Sequence, residues 1–140
     1  MEKHVLVLRT CSKDMTSSGG FKWPTSGDVS APDWEPSNSC GKGLHGFLWG
    51  AGDGTLANWD SDAKWLVVKV SKDSIIDLCG KVKFPAGEVV YCGDRQSATQ
   101  FLRDNGSTAA ITMVSNPQER RLKTGLNLSG GILAAIWRFV

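Results

Sequence analysis

The stretch "KWLVVKV", residues 64–70, decides the fold. Five of its seven residues are apolar and three of those are valine, which marks a short, clear strand. Upstream, "HVLVLR" (residues 4–9) has the same make-up and reads as a buried strand, closed by the polar run "TCSKD". Downstream, "SKDSIIDL" turns the chain, and "KVKF" and "EVVYC" (residues 88–92) are two more short strands on either side of Pro85-Ala86-Gly87. Asp94 then caps a helix over residues 95–104, with Ala98, Phe101 and Leu102 on one face and Asn105-Gly106 as its stop. "AAITMV" (residues 109–114) returns as a strand. "NPQERRLKTG" is a short helix with Asn116 as cap, Pro117 in the first turn, Glu119 at the capping-box position and Gly125 past the end. The closing "GILAAIWRFV" is apolar enough for a strand buried on both faces.

Residues 10–52 show no sustained period. They hold eight of the sixteen glycines and three of the five prolines, but also Trp23, Trp34 and Trp49, which a disordered linker rarely carries. They read as a long, ordered Gly/Trp-rich loop whose tryptophans pack on the body, followed by a short helix within "DGTLANW" (residues 53–59). The strands do not alternate strictly with helices. The expectation is therefore an α+β fold: a compact single domain over residues 1–140, with a mixed sheet of five or six strands and two or three short helices.

Sixteen basic and fourteen acidic residues give a formal charge of +2, spread over both halves of the chain, so no strong nucleic-acid signal follows. The apolar run 132–140 is interrupted by Arg138 and falls short of the ~20 residues of a membrane span. The lead-in "MEKHVLVLRT" lacks the pattern of a signal peptide. With four cysteines and no such pattern, reduced thiols in a cytoplasmic protein are expected.

The element "CGKGLHGFLWG" (residues 40–50) brings a thiol, an imidazole and four glycines together. A thiol beside an imidazole loses its proton more easily and becomes a nucleophile. Here Cys40 and His45 lie on one Gly-rich turn, whereas cysteine hydrolases bring the pair from distant segments, so a buried Cys40 thiol is expected. Cys11, Cys40, His45, Cys79 and Cys92 show none of the spacings of a zinc site, and no metal is assigned. "CGKGLHG" has G-x-G without G-x-G-x-x-G, and its context is not that of a phosphate loop. "GAGDG" (residues 50–54) reads as a turn, with backbone N–H groups presented to a phosphate ahead of Thr55 as the less favoured alternative. Trp23, Asp33, Trp34, Trp49 and Asp53 are the candidate ligand-binding residues, an aromatic wall with a few charges. The basic residues Arg120, Arg121 and Lys123 near a helix C-terminus read as a solvated face.

The run "GFKWPTSGDVSAPDWEPSNSCGKGLHGFLWG", followed by "WLVVKVSKDSIIDLCGKVKF" and "EVVYCG", resembles an uncharacterised domain family of bacterial and phage or mobile-element genomes. The likeness covers about residues 5 to 102 and is most specific from Pro32 to Trp49. It implies no particular activity. Such proteins often continue into a repetitive Gly/Ala/Ser-rich region, in place of which a short helix and an apolar strand are expected here.

The order of parts also resembles that of ADP-ribosyltransferases. That likeness implies that Arg9 holds a phosphate or ribose of NAD, that His45 frames the nicotinamide, and that Glu88 in "GEVVYCG" stabilises charge developing at the ribose. These three are the catalytic candidates on that reading. The chain departs from the pattern in lacking a Ser-Thr-Ser element and in having Val90 where a second carboxylate belongs. The expectation carried forward is a binding or interaction module for a protein or small-molecule ligand, with residues 32–50 as its functional surface. The alternative is an NAD-dependent ADP-ribosyltransferase-like enzyme, with NAD as cofactor, and a metal- or cysteine-dependent hydrolase stands third.

Overall fold

The computed structural model describes residues 3–17 and 20–107. Its strands are β1 (His4–Cys11), β2 (Gly27–Ser30), β3 (Leu44–Leu48), β4 (Lys64–Ser71), β5 (Ile76–Asp77), β6 (Val82–Phe84) and β7 (Ala86–Gly93). One helix, α1 (Arg95–Asp104), follows. The seven strands form a sheet in the order β2-β7-β4-β1-β3-β6-β5, and every ladder is antiparallel.

β4, which contains residues 64–70, lies at the heart of the sheet. It pairs with β1 from His4↔Ser71 to Cys11↔Lys64, and on its other side with β7. Leu66, Val68 and Val70 pack on one face and Trp65 and Val67 on the other, none more than 3% exposed. Burial on both faces explains why this stretch shows no polar alternation. Each such side chain stabilises the fold by roughly 1.5–3 kcal/mol.

The sheet rolls upon itself. β6 and β7 stand far apart in the strand order, yet the single residue Pro85 joins them, so both sides of the order are drawn together at that corner. Proline has no N–H to give a ladder and suits such a bend, and its carbonyl accepts from Ala31 N at 2.8 Å. Inside the roll, Val7, Val29, Leu44, Val68, Phe84 and Val89 make one core. Outside it, Leu8, Phe47, Trp65 and Val67 meet Ala98 and Leu102 of α1. At Gly46 an added Cβ would run into Val7 Cγ1 and the Leu8 carbonyl, so only glycine lets β3 approach β1 so closely.

This architecture corrects the expected fold class. Among the described residues the sheet is antiparallel rather than mixed, has seven strands, and is accompanied by one α-helix and two 3₁₀ turns, Gly54–Leu56 and Lys72–Ser74. Two strands come from the segment read as loop. β2 buries only Val29, and β3 carries a histidine and a glycine, so neither shows an apolar run. The helix expected within residues 53–59 is a single 3₁₀ turn, ended by extended backbone at Ala57. α1 runs as expected, with the Asp94 carboxylate accepting from Ser97 N and Asn105 at its C-cap. The strands expected at 109–114 and 131–140, the helix at 116–125 and its basic residues lie outside the described residues. No helix among the described residues is long and apolar enough to cross a membrane.

Candidate functional site

The segment leading into β3 lies over the outer face of β6, and a lysine holds it there. Lys83 is opposite His45 in the β3–β6 ladder and is completely buried. Its Nζ donates to Ser39 O at 3.1 Å, Gly41 O at 3.2 Å and Ser37 Oγ at 3.4 Å, so its three N–H donors meet three oxygens. The ammonium also stands 5.5 Å from the centroid of the Trp34 ring. A side chain at Gly43 would meet that ring at 3.0 Å. Taking an ammonium out of water costs several kcal/mol unless such partners are supplied. The residues around it, Asp33, Glu35, Asn38, Cys40 and Lys42, are exposed.

His45 holds the next turn. Its Nε2 accepts from the Gly41 backbone N–H at 3.2 Å, where Gly41 and Lys42 both have positive φ, 93° and 52°. Burial first, and then the positive charges of Lys81, Arg9 and Lys83, push the imidazole down to about 4, partly opposed by Asp33. At neutral pH it is an uncharged acceptor. Cys40 is exposed rather than buried, which corrects the expectation for its thiol: the turn that His45 holds projects it outward. The buried thiol is Cys11, pushed up to about 11 mainly by burial.

Of the three catalytic candidates, two are neighbours. Arg9 Nη1 donates to the His45 carbonyl at 3.1 Å. Arg9 follows the inward alternation of Val7 and Cys11, and its guanidinium stacks 5.1 Å from the centroid of Trp23, which is 2% exposed. Glu88 is exposed on the outer face, opposite Lys69 and Asp28 in its two ladders. It lines an open groove of about 510 Å³ with His4, Asp28 and Lys69. Arg9 and Glu88 thus point to opposite sides of the sheet and do not share a cleft.

The remaining candidates are held by local structure. Asp53 Oδ1 accepts from Thr55 N at 3.0 Å and Thr55 Oγ1 at 2.6 Å, capping the 3₁₀ turn. Trp49 follows β3 with φ of 54°, and its carbonyl accepts from Ser107 Oγ at 2.7 Å. Trp23 belongs to the inner core and Trp49 packs on the outer one, so the candidate tryptophans do not line one wall. Among the described residues no three His, Cys, Asp or Glu side chains gather as a metal set. Lys83 was not singled out by sequence reasoning. Its only signal was a lysine between two apolar residues in "KVKF", which reads as an exposed position of a strand.

The family described as Domain of unknown function (DUF7666) matches residues 5–104. The chain belongs to the DUF7666 family. Its match spans β1 through α1 and includes Lys83 and the 32–50 segment. The chain is also similar to an ice nucleation protein of Pseudomonas syringae pv. syringae, 42% identical over 80% of this chain and 10% of that protein. An ice nucleation protein of Pseudomonas fluorescens is 44% identical over 74% of this chain and 9% of its own. Ice nucleation protein InaU of Pantoea ananas is 40% identical over 72% and 10%. The chain spans about a tenth of the length of the curated relatives it matches. No solved structure matches. These relatives also overturn the cytoplasmic location expected from the sequence: the likeness is to ice nucleation proteins, which does not go with a cytoplasmic placement.

Proposed function

We propose that this DUF7666 domain is a binding module whose working surface is the 32–50 segment, and that its partner is a protein. The observation that carries the reading is Lys83: a fully buried ammonium whose three donors go to the segment's own oxygens. A segment that only connects strands needs no such anchor. One held rigid before it meets a partner loses little conformational entropy on binding. The neutral His45, occupied at Nε2 by the Gly41 N–H, suits a structural part in shaping that surface. In the ice nucleation relatives, the matching tenth of the chain would present the same surface within a much longer protein. A phage or mobile-element origin forms no part of this reading.

The test is a graft. Residues 5–104 replace the matching segment of the Pseudomonas syringae ice nucleation protein, with and without Lys83→Met and Trp34→Ala, and droplet-freezing temperature is compared with the parent and with a deletion of the segment. The intact graft should freeze droplets at the parent's temperature, and the altered graft should fall to the level of the deletion. An intact graft that is folded but behaves as the deletion defeats the proposal.

A further inference from the structure

The inner end of β1 carries a positive charge that is in no ion pair found among the described residues. Arg9 has five N–H donors, of which Nη1 serves the His45 carbonyl. Its Nε lies buried without an acceptor, and so does the indole Nε1 of Trp23 beneath it. Among the described residues these are the buried side-chain nitrogens left unsatisfied, and they belong to a single stack. Neither ion pair found among the described residues involves Arg9. The charge that bears on Arg9 is that of Cys11, whose thiol is itself pushed up to about 11 by burial. Burial draws the guanidinium itself down to about 10.

Buried donors without acceptors are rare in folded proteins and destabilise them. A buried cation without a counter-charge costs more. With Nη1 occupied, the guanidinium keeps the edge that contains Nε, one of the edges that grip a planar carboxylate with two parallel hydrogen bonds. Arg9 as a residue is half-buried, while Nε itself is shielded, so a ligand there is taken into the interior rather than laid on the surface. The place is also apt, because Arg9 stands near the end of a strand inside a rolled sheet, and the mouths of such sheets hold ligands.

We propose that Arg9 and Trp23 form a carboxylate-binding site at this end of the roll. The ligand takes the Nε edge of the guanidinium, within reach of the Trp23 indole N–H. Its chemistry is that of a small planar oxyanion, supplied either free or as an aspartate or glutamate side chain of a polypeptide. Arg9 meets the 32–50 segment at the His45 carbonyl but offers the ligand a different edge, so the site's failure would leave the docking proposal standing, and the reverse holds too.

The experiment follows the side-chain N–H signals of Arg9 Nε and the tryptophan indoles by ¹⁵N-edited NMR on the intact chain. Sodium formate and N-acetyl-glutamate N-methylamide are titrated separately against sodium chloride at matched ionic strength. Saturable shifts of the Arg9 Nε and Trp23 indole signals, with the other indoles still, are expected. Response to both ligands marks a site for a polypeptide side chain, and response to formate alone marks a site for a small free ion. Arg9→Lys keeps the charge and loses the planar fork, so it should abolish the Trp23 response. No response in the native chain, equal shifts with chloride, or a Trp23 response retained in Arg9→Lys would each overturn the proposal.

Discussion

A lysine with no exposed surface gives single substitutions unusual reach. Lys83→Met keeps the stem but leaves the carbonyls of Ser39 and Gly41 without their shared donor. A loss of about 1–3 kcal/mol is expected, read as a lower urea midpoint with an unchanged m-value and a red shift of tryptophan emission as Trp34 loosens. His45 gives a pH signature of known sign. The unfolded chain takes up its proton at the ordinary value of 6.5, whereas the folded chain waits until about 4. The unfolded state therefore binds more protons in that window, and stability falls as pH drops from about 6.5 toward 4. A melting-temperature profile should show this slope in the native chain, and His45→Asn should flatten it. An equal slope in both proteins would remove His45 as its source. Of these residues, Trp34 was legible as a packed side chain because a bare loop seldom carries tryptophan. Lys83 was not legible, because sequence cannot show that the loop forty-odd residues upstream folds back to cover it.

Single elements differ in how openly their residues announce them. β1 and β4 were readable because they are dense in valine and leucine, and α1 because a capping aspartate, an apolar face and a terminal Asn-Gly agree with one another. β2 and β3 were not. Val29 alone anchors the first, and Gly46 is in the second for a reason of contact that no periodicity records. Gly46→Ala should cost at least about 1–3 kcal/mol, because the new methyl group meets Val7 and the β1 backbone, which cannot both yield. Asp94→Ala should cost about 1 kcal/mol through loss of the helix cap. Thermal or urea unfolding measures both, and a smaller penalty at Gly46 than at Asp94 would contradict the close packing of β3 on β1.

At the scale of the whole molecule, the sheet sends Arg9 inward and Glu88 outward. Millimolar NAD should therefore leave the melting temperature unchanged, since a ligand binding only the folded state would raise it. A saturable rise would overturn that expectation. The antiparallel arrangement was hidden from sequence because ladder partners lie far apart along the chain, and a corner as small as Pro85 decides whether a sheet stays open or rolls. The same arrangement sets the order of events in folding. The first described strand, β1, is flanked by β3 and β4, and His4 finds its partner Ser71 sixty-seven residues later. β1 has its ladder partners in β3 and β4, so the chain must close long loops before that pairing is rewarded. Refolding in stopped flow should take milliseconds to seconds, the range of sheets built from non-local pairs. During synthesis, "HVLVLR" emerges as an unpaired apolar strand that must wait for its partners, which makes it the segment most exposed to mispairing before the domain is whole.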